Sequence, residues 1–211
     1  SMALPRPEPR IIERPAKARQ GYSIQPFALE TFPGFFVRAT LYAPAGSSAN
    51  RGRPVILSPH GTWLFSRFEA AVQIRCANLA RMGAYCISYS QIGFGEAPQS
   101  HQGVLGGLGL QAWTASRLID YALTLPGADI DRIGIVGASS GGLQAIYAAL
   151  YDARIAAVVP ALIVYPFTGE GSFTDVGLSM FQDGTADLAE LAGSIAPRPM
   201  LVIAIGKGDP T

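Results

Sequence analysis

A serine flanked by small residues at 137–141 is the part of the sequence best suited to covalent chemistry. The run reads Gly-Ala-Ser-Ser-Gly, so Ser139 has a glycine two positions before it and another two positions after it. The apolar run before it predicts a buried strand, and the residues from Ser140 onward predict a helix. A serine on such a sharp turn can project its hydroxyl as a nucleophile, and glycines let the backbone pass close on both sides. The alternatives are a plain strand-to-helix turn, or Ser140 as the reacting serine, although Ser140 lacks the paired glycines.

A nucleophilic serine needs a general base, and the base needs a carboxylate to orient it. Asp209 follows an apolar strand that lies two strands beyond Ser139, and we predict it to be the acid. A turn aspartate beside a proline is the alternative interpretation of this residue. Glu170 and Asp175, which follow the intervening strand, are weaker candidates for the acid.

The general base has no well-placed candidate in the sequence. Both histidines, His60 and His101, precede Ser139. His60 belongs to a His-Gly turn after a strand and is expected to brace that turn, and His101 falls in a polar loop and is expected to be a surface residue. Either of them as the base is the alternative interpretation. The histidine base is therefore expected beyond Thr211.

Two backbone N–H groups are predicted to form an oxyanion hole, which is a pair of donors for the negative oxygen of an acyl-transfer intermediate. They belong to Thr62 and Ser140. His60, Gly61 and Trp63 surround Thr62 and are predicted to line the substrate pocket. A plain core tryptophan is the alternative interpretation of Trp63.

Strands and helices alternate along most of the chain, in an order that would position these residues. Apolar runs predict strands at 22–31, 35–42, 55–58, 84–89, 132–137, 155–164 and 199–205, and helical spacing predicts helices at 67–82, 107–125, 140–152 and 186–194. The first two strands form an antiparallel hairpin. The later strands are continuous apolar runs, typical of a mostly parallel, doubly wound α/β sheet covered on both faces.

Ligand sites in such sheets lie at the carboxyl ends of the strands. Four polar positions fall at these ends: the turn at 60–62, the pair at 90–91, Ser139 and Asp209. Residues 1–21 are expected to be an extended N-terminal arm, and 22–211 one domain. Residues 166–185 have little periodicity and are predicted to form a loop or lid over the site.

The composition excludes several classes of function. Hydrophobic residues make up 49% of 211, and no apolar run approaches the ~20 residues of a bilayer-spanning helix. A net charge of +1 gives no reason to expect a nucleic-acid partner. Cys76 and Cys86 are interpreted as buried free thiols, with a disulfide as the alternative. No metal-ligand spacing or dinucleotide-binding glycine motif occurs, so no metal or cofactor is expected. Compartment and oligomeric state stay open.

Several motifs together resemble the bacterial acetylxylan-esterase-type α/β-hydrolases. They are Ser-Pro-His-Gly-Thr-Trp at 58–63, Ala-Asn-Leu-Ala-Arg-Met-Gly at 77–83, Gly-Phe-Gly-Glu at 93–96, Leu-Pro at 125–126, Asp-Arg-Ile-Gly at 131–134, the turn at 137–142 and Ile-Ala-Pro-Arg-Pro at 195–199. The resemblance covers nearly everything from residue 22 onward. It implies an α/β-hydrolase fold whose last strand and helix lie outside the sequence. Ser139 matches the family's nucleophile and Asp209 its acid.

The function implied by this resemblance is a serine esterase that removes acetyl groups from carbohydrate without a cofactor. The sequence departs from the family pattern at two positions. Ser90 stands where the family often has Asp, and Ser140 stands where a glycine is more usual after the nucleophile. These departures bear on the identity of the substrate more than on the class of reaction. The alternatives are a glucuronoyl esterase, a peptidase, a dienelactone hydrolase, or a non-catalytic protein of the same fold that binds a ligand. The expected partner is a small-molecule or carbohydrate ester.

Overall fold

The described residues form eight β-strands and four α-helices. The structure is a computed structural model and describes residues 6, 8, 10–46, 52–92, 106–163 and 188–204. The strands are β1 (Ile11–Glu13), β2 (Lys17–Arg19), β3 (Tyr22–Phe32), β4 (Phe35–Pro44), β5 (Arg53–Leu57), β6 (Tyr85–Tyr89), β7 (Ala128–Ala138) and β8 (Ile155–Ala161). The helices are α1 (Ala70–Arg81), α2 (Gly106–Ala122), α3 (Ser140–Tyr151) and α4 (Leu188–Gly193), and a 3₁₀ turn (Ser66–Phe68) precedes α1.

The strands form one mixed sheet in the order β1-β3-β4-β6-β5-β7-β8, with β2 also paired to β3. The β3–β4 pair is the predicted antiparallel hairpin, closed by Gly34 at φ 76°. The strands β6, β5, β7 and β8 are parallel, which confirms the predicted sheet. Residues 199–203 continue the sheet beside β8 through parallel bridges, where a longer strand at 199–205 was expected.

Part of the segment expected to be an extended arm is paired to the sheet. β1 and β2 both lie within residues 1–21 and bind β3 antiparallel, with Ile11 opposite Leu29 and Lys17 opposite Ile24. The outer edge of β3 offers free N–H and C=O groups, which an extended segment can satisfy whatever its side chains. The division into an arm and a domain from residue 22 therefore misses two strands of the sheet.

Helices cover both faces of the sheet. Side chains of β6 alternate between two hydrophobic clusters: Tyr85 and Ile87 pack with α2 and α3, and Cys86 packs with Cys76 of α1. Because successive strand residues point to opposite faces, α1 lies on one face and α2 with α3 on the other. Both cysteines are buried and free, as predicted.

The helix predicted at 67–82 begins later, at Ala70. Glu69 has φ −55° and ψ 137°, an extended conformation that separates the 3₁₀ turn from α1, and Phe68 is left 49% exposed. Within the described ranges, no helix combines the length and apolarity needed to cross a bilayer.

Candidate active site

Ser139 occupies a strained turn between β7 and α3. Its φ of 56° and ψ of −130° are rarely adopted by a residue with a side chain. The Ser139 N–H donates to the Ala161 carbonyl at 2.9 Å, and the Ser139 carbonyl accepts from the Gly142 N–H at 2.8 Å. The side chain is partly exposed. The turn predicted from the glycine spacing is therefore present, and it holds the serine at the carboxyl end of a central strand.

The glycines of this turn are required by backbone contacts. A Cβ on Gly137 would overlap the carbonyl group of Gly141. A Cβ on Gly141 would lie 2.6 Å from the His60 carbonyl oxygen and 2.7 Å from that of Pro59. These distances are too short for real carbon–oxygen contacts, so Gly141 lets the nucleophile turn pack directly on the turn that follows β5.

The second turn, at residues 59–63, supplies the other predicted donor. A Cβ on Gly61 would lie 3.1 Å from the Ala138 carbonyl oxygen, so this turn also touches the end of β7. Thr62 is exposed, and its N–H donates to no acceptor among the described residues. Ser140 is the first residue of α3, and the N–H groups of a first helical turn have no acceptor within the helix. The two predicted oxyanion donors thus lie on neighbouring turns.

His60 lies behind this turn and is fully buried. Its Nε2 faces the Gln91 N–H at 3.1 Å, and its Nδ1 faces the Gly61 carbonyl at 2.6 Å. Because an N–H can only donate, Nε2 must be the acceptor, and the ring proton sits on Nδ1. Burial lowers the pKa of His60, and the nearby Arg67 and Arg75 lower it further, while the Gly61 contact opposes them. The ring is therefore neutral, with both nitrogens engaged.

This environment corrects one prediction about His60. We predicted that it lines the substrate pocket, but a side chain with no exposed surface cannot contact substrate there. For the same reason, and because both nitrogens are engaged, it is unsuited to accept a proton from Ser139. The bracing role expected of it is consistent with these contacts.

Trp63 packs both on the protein core and on the predicted oxyanion turn. It is half-buried and packs against the cluster beneath α1. Its indole also covers Gly61, where a Cβ would lie 2.8 Å from the ring. The tryptophan therefore closes one side of the turn and presents its remaining surface next to Thr62.

Several predicted site residues fall outside the described part of the chain. These are Asp209, the alternative acids Glu170 and Asp175, His101 and the loop at 166–185. The structure brings together Ser139, Ser140, Gly61, Thr62 and Trp63. Within the described ranges, no group of three or more His, Cys, Asp or Glu side chains is arranged to hold a metal ion.

Gln91 is a site residue whose role the sequence did not reveal. The sequence identifies the pair at 90–91 only as polar residues at a strand end. Gln91 is 2% exposed, and its side-chain Nε2 donates to the His60 carbonyl oxygen. The partner is 31 positions away, so no local spacing could have indicated it.

Solved structures of esterases share this fold. No protein-family model and no curated protein matches the sequence. The chain is 30% identical to the methylesterase BT1017 over 92% of its own length, with a TM-score of 0.75. It superposes on an acetyl xylan esterase from Paenibacillus sp. R4 at a TM-score of 0.63 over 92%, and on a glucuronoyl esterase from Solibacter usitatus at 0.65 over 96%, both at 17% identity.

The chain spans 45% of the methylesterase, 72% of the acetyl xylan esterase and 69% of the glucuronoyl esterase. What the chain shares with them is the fold, a sheet of parallel strands with flanking helices. The chain therefore has the α/β-hydrolase fold, which it shares with these solved esterase structures.

Proposed function

We propose that this protein hydrolyses carboxylic esters through an acyl-enzyme formed on Ser139. The observation that carries the proposal is the strained backbone of Ser139, with the first N–H of α3 directly after it. Backbone strain of this kind persists where the surroundings enforce it, and it concentrates at functional sites. The esterases that share the fold support the same reaction class.

In the proposed reaction, the Ser139 hydroxyl oxygen attacks the ester carbonyl carbon and its proton passes to a histidine base. The negative oxygen of the tetrahedral intermediate accepts hydrogen bonds from the Thr62 and Ser140 N–H groups. When the intermediate collapses, the C–O bond to the alcohol breaks and the alcohol takes the proton from the base. Water, deprotonated by the same base, then attacks the acyl carbon. The C–O bond to Ser139 breaks, the Ser139 oxygen takes the proton from the base, and the acid is released.

We also propose which residues act as the general base and as the acid that orients it. The engaged ring of His60 supports a base other than His60, and Asp209 is proposed to orient that base. The Asp209 carboxylate would hold the imidazole in the required tautomer and stabilise its protonated form.

We propose a carbohydrate ester as the substrate, with an acetyl group as the part transferred to Ser139. The acetyl xylan esterase, which has the same fold, supports this choice. A second candidate is an ester in which a sugar acid is the acyl group and methanol is the alcohol that leaves. The 30% identity to a methylesterase favours it, as does the shared fold of the glucuronoyl esterase.

Labelling with a fluorophosphonate tests the reaction class, because this reagent forms a P–O bond to an activated serine and releases fluoride. We expect stoichiometric labelling at Ser139, and none in Ser139→Ala at unchanged melting temperature. A protein that folds but is not labelled would instead be a non-catalytic binding protein. Acetylated sugars and methyl uronates offered side by side then distinguish the two substrates by kcat/KM.

A further inference from the structure

Two hydrogen bonds connect Gln91 to His60, across the gap between the ends of β6 and β5. The Gln91 backbone N–H donates to Nε2 of the His60 ring at 3.1 Å, and the Gln91 side-chain amide donates to the His60 carbonyl oxygen. Both residues are buried. A single residue thus determines both the ring tautomer and the peptide orientation of His60.

The His60 ring, once its tautomer is fixed, also fixes the orientation of the peptide between Gly61 and Thr62. Because Nε2 accepts from Gln91, the proton is on Nδ1, which donates to the Gly61 carbonyl oxygen at 2.6 Å. The Trp63 N–H donates to the same oxygen at 2.8 Å. The Gly61 carbonyl and the Thr62 N–H belong to one planar trans peptide and point in opposite directions. Holding the Gly61 carbonyl toward the His60 ring therefore directs the Thr62 N–H away from that ring, which leaves it free to donate to a bound oxyanion.

The side-chain hydrogen bond of Gln91 acts on the same turn from the other end. The Gln91 side chain holds the His60 carbonyl, and Gly141 packs against the same carbonyl. A Cβ added to Gly141 would lie only 2.6 Å from this oxygen. Arg75 of α1 donates to the Ser58 hydroxyl at 2.8 Å and to the Pro59 carbonyl at 3.3 Å. The start of the turn is thus held by Arg75 and its middle by Gln91.

We propose that Gln91 is a positioning residue for the oxyanion hole, acting through His60 on the peptide that carries the Thr62 N–H. The inference rests on the proposed function, since an oxyanion forms only if Ser139 attacks a carbonyl carbon. A donor in an oxyanion hole stabilises the transition state more than the bound substrate. Gln91 should therefore affect kcat with little effect on KM.

Two substitutions of similar size test the side-chain hydrogen bond. Gln91→Leu removes the donor, and Gln91→Glu replaces the amide donor with a carboxylate that cannot donate when ionised. We expect kcat to fall roughly 10- to 100-fold in both, because a misplaced donor costs up to about that factor, while KM changes less than about twofold. A trifluoromethyl ketone, which forms a tetrahedral oxyanion with Ser139, should lose affinity by the same factor.

Gln144→Leu is the matched control. Gln144 is a fully buried glutamine in α3 whose amide atoms have no hydrogen-bond partner in the described residues. Gln144→Leu replaces a buried glutamine by leucine, as Gln91→Leu does, but it removes no hydrogen bond to His60. The values of kcat and inhibitor affinity should therefore stay near those of the wild type. Wild-type kcat in both Gln91 variants, or inhibitor affinity that does not follow kcat, would overturn the proposal.

A measurement without turnover separates this inference from the proposed function. In protein labelled with ¹⁵N-histidine, the chemical shifts of His60 should show a protonated Nδ1 and an unprotonated Nε2. A proton on Nε2 would contradict the Gln91 contact even if the enzyme is active. Failure of the wild type to hydrolyse esters or to label at Ser139 would overturn the proposed function, and the oxyanion role of Gln91 with it.

Discussion

The backbone N–H of Ser139 donates a 2.9 Å hydrogen bond to the carbonyl oxygen of Ala161, the last residue of β8. This contact ties the most strained residue of the nucleophile turn to the neighbouring strand. Leu162, the next residue, also has a positive φ of 58°, and its N–H donates to Ile203 at 2.8 Å. Hydrogen bonds across strand ends, rather than the turn by itself, therefore hold the unusual backbone in place.

Gly141→Ala should displace the nucleophile turn from the turn that follows β5. Its Cβ would meet two carbonyl oxygens of the adjacent turn at 2.6 and 2.7 Å, and backbone atoms cannot move aside as a flexible side chain can. We expect about 1–3 kcal/mol less stability in urea unfolding, by analogy with overpacked cores, and at least a roughly tenfold loss of kcat/KM, because a small misplacement of catalytic groups is costly.

Gly109→Ala is the control for this substitution. Gly109 lies in α2, and no atom within 4 Å would meet its Cβ. Alanine should raise stability by about 0.5–1 kcal/mol, because glycine is unfavourable in a helix, and leave kcat/KM unchanged. Equal behaviour of the two variants would contradict the steric explanation.

The role of Ser140 can be divided between its side chain and its backbone. Its hydroxyl is buried and has no partner among the described residues, so Ser140→Ala should keep both esterase activity and fluorophosphonate labelling. Ser140→Pro removes the N–H at the first helical position, where proline is tolerated. We expect kcat to fall roughly 10²- to 10³-fold, the usual effect of losing one oxyanion donor. Activity measured with a soluble acetyl ester, alongside circular dichroism, checks both; an active Pro variant would exclude this N–H as a donor.

Asp152 should contribute stability that depends on pH. Burial alone would raise its pKa, but hydrogen bonds from Arg154 at 2.6 Å and from Ser116 at 2.6 Å hold the pKa below its ordinary value. A lowered folded-state pKa means that the contribution is complete above the unfolded pKa of about 3.9 and is lost as the pH falls below it.

Asp152→Asn should therefore lower the free energy of unfolding by about 3 kcal/mol at pH 7, the lower end of the cost of breaking a buried pair. The difference from wild type should shrink as the pH falls below about 4. Urea unfolding at a series of pH values measures it. Asp131→Asn, at an exposed aspartate, should change stability by less than about 0.5 kcal/mol. A difference for Asp152→Asn that is independent of pH would show that charge is not involved.

The two thiols should be unreactive in the folded protein. Cys76 and Cys86 have no exposed surface, and burial raises the pKa of Cys86, which disfavours the reactive thiolate. An aromatic disulfide reagent should react with neither at neutral pH, and with both once urea unfolds the chain. Reaction at the rate of free cysteine before unfolding would mean that the packing between α1 and β6 opens readily.

The local features of the site could be predicted from the sequence. The spacing of Gly137, Ser139 and Gly141 indicated a strained turn, because the glycine at 137 is required by the backbone of Gly141, four residues away. Gly141 itself is required by the distant carbonyls of Pro59 and His60, which no local spacing could have indicated. Apolar runs and helical spacing likewise indicated the alternation of strands and helices. The paired segments β1 and β2 were missed because an edge strand accepts almost any extended partner, so their side chains carry no strong signal.

The distant contacts were decided by the tertiary structure. The sequence by itself placed His60, Gln91 and Ser139 at strand ends, but it could not say which strands lie side by side. The order β6-β5-β7-β8 brings Gln91 to His60 and Ala161 to Ser139, and those contacts determine the tautomer of one residue and the backbone of the other. The pattern of residue types reflects the local backbone conformation and burial of each segment. A hydrogen bond between residues 31 positions apart forms only once the sheet has assembled.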